Sequence, residues 1–142
     1  MALNKAGKSC DVLGSDMKIY LPKRKKVLYP DVTVHCEAPE FHDGREDLLL
    51  NPLLIVEVLS ESTEVYDRGM KFDSYASAAS FQEYVLVSQD EMRIETFFLH
   101  NAKEQLWKRS VFDAPETEVK LYSANISFRV KDVYKKVFEE KN

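Results

Sequence analysis

The hydrophobic pattern of the chain predicts strands more than long helices, because the apolar stretches are short and turn signals recur between them. One stretch differs from the others: Leu53 to Leu59 is nearly continuously apolar, and Glu57 is its only charge. A short continuous apolar run is typical of a strand buried on both faces at the centre of a sheet. We therefore expect this segment to be the central strand, with Glu57 inside it.

Two strands are predicted ahead of the central one. Met17–Leu21 and Val27–Cys36 flank the charged segment Pro22–Lys26, as expected for a hairpin with a basic tip. In the second strand, apolar and polar residues alternate, so we expect one side to face a core and the other to carry polar groups. Asp31 and His35 lie on the polar side. The acidic stretch at 37–52 is read as a connection.

After the central strand, the pattern becomes helical. From Asp67 to Ala79, apolar residues form neighbouring stripes at helical spacing, and Lys71 borders the packed face. A strand, a helix and a further strand make a βαβ-like unit, to which hairpins are added. The fold class is therefore α/β, at the border with α+β. The remaining predicted elements are strands at Tyr84–Val87, Ile94–Leu99, Gln105–Val111 and Val119–Tyr122, and a closing helix at Val130–Glu139.

Length and charge narrow the class of protein. The 142 residues suit one domain, 1–142, and 20 Lys plus Arg against 24 Asp plus Glu give a net charge of -4. A diffuse positive surface is excluded, so any contact with nucleic acid must be local. Neither a secretory signal nor a membrane span is present in the sequence. Cys10 and Cys36 form no CxxC pair, which indicates neither a disulfide framework nor a zinc site. We expect a soluble, cytoplasmic protein.

Glu57 is the most informative charged residue, because an ionised carboxylate in an apolar strand costs several kcal/mol unless it is compensated. Taken alone, it is better explained as a strand end or as part of a structural ion pair than as part of a site. Asp31 changes this weighing. If the two strands are neighbours, both carboxylates point into one cleft, where oxygen ligands suit Mg²⁺ or Mn²⁺. Two carboxylates and one such ion meet the requirements of phosphodiester hydrolysis.

Lys71 is the candidate cation beside this pair. From the helix it could orient a water or stabilise negative charge in a transition state. For an isolated lysine, a solvated i,i+4 pair with Asp67 is the simpler interpretation.

Four segments together resemble a restriction endonuclease family that is abundant in cyanobacteria and belongs to the PD-(D/E)XK nuclease superfamily. The similarity extends from about Cys10 to Val137. The segments, in order, are Tyr29–Val32, Leu54–Ser60, Tyr66–Tyr75 and Glu83–Val87.

The resemblance implies a restriction-endonuclease-like fold, a mixed sheet with flanking helices, and Mg²⁺-dependent (or Mn²⁺-dependent) cleavage of DNA. Asp31 and Glu57 match the acidic metal ligands of the motif, and the backbone carbonyl of Val58 is a further candidate ligand. The standard motif has a lysine two residues after the acid, where this chain has Leu59. Lys71 matches the family's displaced lysine, so Asp31, Glu57 and Lys71 are the expected catalytic residues.

One departure from the family pattern leaves alternatives open. Relatives usually begin with one or two helices ahead of the segment matched by Cys10, and this chain begins almost directly there. We therefore expect an N-terminally short member, with an exposed apolar sheet face that would favour self-association, such as a homodimer. The alternatives are a catalytically silent nucleic-acid-binding or self-associating remnant, and a structural domain in which Glu57 and Lys71 form only a buried ion pair.

The other candidates are weaker. The basic run Lys23–Lys26 could contact phosphates or could simply be a soluble hairpin tip. The histidines show no metal-binding arrangement, and we expect His42 and His100 at the surface. Ser60 and Ser62 lack a nucleophile elbow and are read as turn caps. Trp107 and the pair Phe97-Phe98 are read as packing residues.

Overall fold

A large mixed sheet forms the centre of the protein. The computed structural model describes residues 2–5, 8–60 and 67–134. Within them, a 3-10 turn lies at His42–Gly44, a π-helical turn at Asp67–Lys71, a short helix α1 at Phe72–Ala76, and a helix α2 over 130–134. The strands of the described residues are β1 (Ala2–Lys5), β2 (Lys8–Leu13), β3 (Lys18–Leu21), β4 (Lys26–Leu28), β5 (Val32–His35), β6 (Leu48–Leu49), β7 (Leu54–Leu59), β8 (Glu83–Ser88), β9 (Ile94–Asn101), β10 (Leu106–Phe112), β11 (Glu118–Leu121) and β12 (Ile126–Arg129).

The main sheet has seven strands in the order β1-β2-β5-β7-β8-β9-β10. The apolar strand β7 is the fourth of them, which confirms the prediction of a central strand. β7 and β8 are parallel and are joined through the helical segment, so the predicted βαβ-like unit is also confirmed. The neighbouring pairs on both sides are antiparallel. A mixed sheet with few helices agrees with the predicted fold class and lies on its α+β side.

Hydrophobic side chains cover the main sheet on both faces. Successive residues of β7 point to opposite sides, and almost all of them are apolar. Leu54 belongs to one core and Ile55 to the other. The Leu54 core is completed by the β11–β12 hairpin and α2, through residues such as Val119 and Tyr134. The Ile55 core is completed by α1 and by the three-stranded sheet β4-β3-β6. Glu57 lies on the Ile55 side, since it is two residues further along the same strand.

The prediction that Val27–Cys36 forms a single strand is wrong. It is divided into β4, which belongs to the small sheet, and β5, which belongs to the main sheet. Pro30 lies in the connection, where a residue without an N–H cannot continue a ladder. The polar side of β5 is also not open to solvent, because Thr33 and His35 are 0% and 4% exposed. Thr33 pairs with Ile55 of β7, so this side of β5 faces the core that α1 and the three-stranded sheet β4-β3-β6 complete.

Other boundaries differ from the prediction. α1 ends at Ala76 rather than Ala79, and the acidic connection contains β6. β1, β2 and β12 were not predicted, because their short mixed sequences give no clear period-2 signal. The closing helix begins at Val130 as expected, and its predicted part after Tyr134 lies outside the described residues.

The expectation that the cysteines are unpaired is wrong. Cys10 and Cys36 form a disulfide, with their Cα atoms 4.0 Å apart. β2 and β5 are antiparallel neighbours, and the register that pairs Asp11 with His35 places the two cysteines opposite each other. Spacing rules could not find this pair, because its 26-residue separation reflects sheet order rather than a local motif.

No helix among the described residues has the length and apolar character that crossing a membrane requires.

Candidate active site

Asp31 and Glu57 lie opposite each other on neighbouring strands. β5 and β7 pair with Val32 opposite Val56, and continuing this register by one residue pairs Asp31 with Glu57. Residues directly opposite in an antiparallel pair project from the same face of the sheet. The backbone N–H of Asp31 donates to Oε1 of Glu57 at 3.2 Å. The two carboxylates that the sequence singles out are therefore brought together.

A second hydrogen bond fixes the Asp31 carboxylate. The backbone N–H of Val58 donates to Oδ2 of Asp31 at 2.7 Å. The same register pairs Val58 with Pro30, which has no N–H. In a strand, the N–H and C=O of one residue point to the same side, so the Val58 carbonyl faces the segment of Asp31 and receives no ladder bond from Pro30. The carbonyl named as a candidate ligand thus lies on the side of the carboxylates.

Lys71 reaches the pair from the helical segment between β7 and β8. Its Nζ lies 2.6 Å from Oε2 of Glu57, and the two side chains are 19% and 2% exposed. Lys71 is the last residue of the π-helical turn, a helix form that often occurs at functional sites. Lys71 thus pairs with Glu57, whatever its relation to Asp67, the i,i+4 partner of the simpler interpretation. The side chain of Asp67 itself lies outside the described residues.

Burial is graded across the site. Glu57 is 1% exposed, whereas Asp31 lies at the surface. A carboxylate as buried as Glu57 requires compensation, which the Lys71 ammonium and the Asp31 N–H provide. A ligand would therefore approach from the Asp31 side, where one carboxylate is already in water.

Burial alone does not distinguish Glu57 from other acids. Glu83 and Glu95 are also buried, at 0% and 1% exposure. Glu83 accepts hydrogen bonds from the N–H and Oγ of Ser123, and Glu95 contacts Arg109 at 2.7 Å. Sequence reasoning singled out neither of them, since Glu83 precedes the apolar run Tyr84–Val87 and Glu95 lies in a strand of mixed polarity. What distinguishes Glu57 is a second acidic residue directly opposite it, Asp31, whose backbone N–H donates to the Glu57 carboxylate.

The donor set suits a hard divalent cation. Among the described residues, no group of three or more His, Cys, Asp or Glu side chains could hold a metal ion. Asp31 and Glu57 supply carboxylate oxygens, and Val58 supplies a carbonyl oxygen. Mg²⁺ typically keeps several waters and is bound through one or two carboxylates together with substrate phosphates. The residues present therefore fit Mg²⁺ or Mn²⁺ better than a metal that needs a cage of protein ligands.

The other candidates lie away from the pair. His35 is held by the Glu37 carbonyl at 2.9 Å and by Asp11 at 3.5 Å, four residues beyond Asp31. His42 stacks on Tyr20 with ring centroids 3.9 Å apart, and His100 is exposed as expected. Ser62 lies outside the described residues.

Two of the aromatic residues pack against other rings, and the basic run lies at a hairpin tip. Trp107 packs edge-on against Phe72 at 4.9 Å, which confirms its packing role. Phe97 also packs against Phe72, at 5.7 Å. The basic run Lys23–Lys26 forms the tip of the β3–β4 hairpin, and its first three residues are exposed.

Comparison with known proteins agrees with this fold. The crystal structure of a protein from Anabaena variabilis, described as a putative nuclease, superimposes with a TM-score of 0.62 over 89% of this chain and 68% of that chain, at 16% identity. This likeness concerns the fold.

Two curated relatives from Synechocystis are similar in sequence, and both are described as uncharacterized. The protein slr1290 is 34% identical over 91% of this chain and 65% of its own length. The protein sll1609 is 37% identical over 61% of this chain and 49% of its own length. The chain thus spans about half of one of these relatives and about two thirds of the other.

A family model extends over almost the whole chain. The model is that of Uma2, described as "Putative restriction endonuclease", and it matches residues 1–129. The expected fold and the resemblance noted in the sequence are thereby confirmed. The chain belongs to the Uma2 family of restriction-endonuclease-like proteins.

Proposed function

We propose that this protein is a metal-dependent endonuclease that hydrolyses phosphodiester bonds of DNA. The observation that carries the proposal is the placement of Asp31 directly across from Glu57, with the Lys71 ammonium 2.6 Å from the Glu57 carboxylate. Family membership supports the nuclease class. The metal, the DNA substrate and the role of each residue are inferred from the chemistry of the site.

In this proposal Asp31, Glu57 and the carbonyl of Val58 hold Mg²⁺ or Mn²⁺. A bound divalent ion lowers the pKa of a coordinated water and neutralises charge on the phosphate oxygens. The hydrogen bond from the Val58 N–H keeps Asp31 turned toward the site before substrate arrives. Such preorganisation reduces the reorganisation needed during the reaction.

Lys71 has two tasks in this scheme. It neutralises the buried Glu57, and it donates to an oxygen of the substrate or of the attacking water. An ammonium carries three N–H donors, so holding Glu57 does not prevent a second contact. Because negative charge develops on the phosphate oxygens in the transition state, a fixed cation at this position lowers the barrier.

The test is cleavage of plasmid DNA with Mg²⁺ or Mn²⁺, with a chelator as the negative control. We expect Glu57→Gln and Asp31→Asn to lose cleavage while their circular dichroism stays that of the wild type. Glu83→Gln is the matched control, because it alters an equally buried glutamate on the neighbouring strand. It should retain cleavage at temperatures where it is folded. Equal cleavage by Glu57→Gln and wild type would remove the proposal.

Metal binding is tested separately by isothermal calorimetry. Wild type titrated with Mn²⁺ should show heat that Asp31→Ala lacks. Asp11→Ala is the control, since Asp11 is an exposed acid on the next strand of the same sheet. Identical heats for wild type and Asp31→Ala would exclude a ligand role for Asp31.

A catalytically silent nucleic-acid-binding domain is the second candidate. The observation in its favour is that the described residues offer two acidic side chains at the site rather than three or more. If this candidate is correct, the protein binds DNA but does not cleave it. Adding metal or substituting Glu57→Gln then makes no difference.

A further inference from the structure

Exposed hydrophobic residues occur next in sequence to the residues of the site or close to them. Tyr29, Val58 and Met70 are 63%, 46% and 59% exposed. Tyr29 lies two residues before Asp31, Val58 follows Glu57, and Met70 precedes Lys71. Single exposed apolar residues are ordinary on a protein surface. Val58 follows Glu57 in β7 and so projects from the other face of the sheet, whereas Tyr29 and Met70 lie on the segments that supply Asp31 and Lys71. Tyr29 has the largest exposed fraction of the three.

Tyr29 and Asp31 are both exposed and are separated by one residue. Along the connection between β4 and β5, burial alternates: Leu28 and Pro30 are buried, whereas Tyr29 and Asp31 are exposed. The Cα atoms of residues two apart in a chain are separated by at most about 7 Å. Tyr29 therefore lies within reach of a ligand that contacts the exposed Asp31.

The ring has a cation beside it. Continuing the β3–β4 register, which pairs Ile19 with Leu28, places Lys18 opposite Tyr29. The Nζ of Lys18 lies 5.9 Å from the centroid of the Tyr29 ring and 3.4 Å from Oδ2 of Asp47. A cation over an aromatic face is attracted by the ring quadrupole. The ring thus has a defined neighbour, although most of its surface remains in solvent.

We propose that Tyr29 is a base-stacking platform, so that the substrate is a single-stranded or locally opened nucleic acid with an unpaired base beside the cleaved phosphate. This inference rests on the proposed function, which places that phosphate at Asp31 and Glu57. Bases within an intact duplex are stacked on one another, and their faces are not accessible to a side chain. Stacking on an aromatic ring tolerates any sequence, because every base has a π-face. Lys18 supplies a nearby positive charge for the backbone.

The chain contains a matched control for Tyr29. Tyr122 is 50% exposed, and the Nζ of Lys120 lies 5.2 Å from its ring centroid. It follows β11, whose hairpin covers the opposite face of the main sheet from Glu57. The same combination of groups is therefore present at a place remote from the site.

The experiment measures the affinity for a fluorescein-labelled oligothymidylate and for a blunt duplex by anisotropy, in chelator so that cleavage is prevented. We expect Tyr29→Ala to bind the single strand about tenfold more weakly, in line with the loss of one stacked base. Tyr29→Phe keeps the ring and should stay within about twofold of the wild type. Duplex affinity should not change. Tyr122→Ala should match the wild type on both probes, and melting temperatures verify that all variants are folded.

Three results would overturn the inference: wild-type affinity of Tyr29→Ala, an equal loss in Tyr122→Ala, or an equal loss for duplex and single strand. Light scattering, which reports the oligomeric state, could give a fourth contradicting result. If Tyr29→Ala dissociates a dimer without changing the affinity for the oligonucleotide, the exposed surface contacts a second copy instead.

Cleavage by the same variants separates this inference from the nuclease proposal. If wild type cleaves and Tyr29→Ala binds normally, the nuclease stands and the platform is refuted. If wild type never cleaves but Tyr29→Ala alone loses single-strand affinity, the platform stands and the nuclease is refuted.

Discussion

The ammonium of Lys71 lies 2.6 Å from the carboxylate of Glu57, and only 2% of the Glu57 side chain is exposed. This contact connects the helical segment to the central strand across a hydrophobic core. It has a structural consequence whatever chemistry the site performs, because neither charge can be removed alone without leaving the other poorly compensated.

Removing the ammonium should destabilise the protein strongly. We expect Lys71→Met to lower the free energy of unfolding by about 3–5 kcal/mol, since the buried Glu57 carboxylate would lose its ammonium partner. The double variant Glu57→Gln/Lys71→Met should lose less than the sum of the single variants. Urea denaturation measures the free energy of unfolding of the two single variants and of the double variant. Lys131→Met is the control, because its pair with Glu116 is exposed and should contribute less than about 1 kcal/mol. Wild-type stability of Lys71→Met would contradict the expectation.

The hydroxyl of Tyr134 holds the turn between β8 and β9. It accepts from the N–H of Arg93 at 3.1 Å and lies 2.7 Å from the carbonyl of Ser88. Tyr134→Phe should lower the free energy of unfolding by about 1–3 kcal/mol, because these buried groups lose a partner. Tyr122→Phe, at an exposed ring, should change it by less than about 0.5 kcal/mol.

The same tyrosine predicts a pH effect. Burial raises the pKa of Tyr134 above its ordinary value. Because the pKa of Tyr134 is higher in the folded than in the unfolded state, its contribution to the free energy of unfolding is complete below the unfolded pKa of about 10. That contribution is lost as the pH rises through the pKa of the folded state. Wild type should therefore lose stability in alkaline solution more steeply than Tyr134→Phe. Parallel curves for the two proteins would show that Tyr134 does not titrate in this way.

Reducing the disulfide should weaken the association of β2 with β5. The bridge closes a loop of 26 residues, for which chain entropy predicts about 3 kcal/mol of stabilisation. Urea midpoints measured with and without a dithiol should differ for the wild type. The variant Cys10→Ala/Cys36→Ala should be insensitive to the dithiol. If both proteins respond equally, the reductant acts elsewhere than on this bridge.

The hairpin tip should contribute electrostatically to DNA binding. Replacing Lys23 and Arg24 by Gln should reduce affinity and lower the slope of log K against log salt by up to about 1.8, or 0.9 for each lost phosphate contact. Lys25 is left unchanged because its φ of 52° is unfavourable for most side chains. Replacing Lys103 and Lys108, on the β9–β10 hairpin, removes the same charge at another place. Equal losses in the two double variants would mean that net charge, and not the tip, governs binding.

Part of this architecture could be predicted from local sequence. The continuous apolar run identified β7 as the central strand, and its single charge identified Glu57. The helical pattern after it placed Lys71 at the border of the packed face. Each of these rests on periodicity within about ten residues, a signal that burial imposes directly on the chain.

The pairing of distant segments was decided by the tertiary structure. Asp31 faces Glu57, and Cys10 faces Cys36, because β5 lies between β2 and β7 in a fixed register. The division of the segment 27–36 between two sheets, with Tyr29 left exposed beside Asp31, also follows from that packing. Alternation along one strand separates its two sides, but it carries no information about which strand or hairpin lies against either of them. Sheet order is set by the sum of contacts over the whole core, and it alone turns separate acidic, basic and aromatic residues into one site.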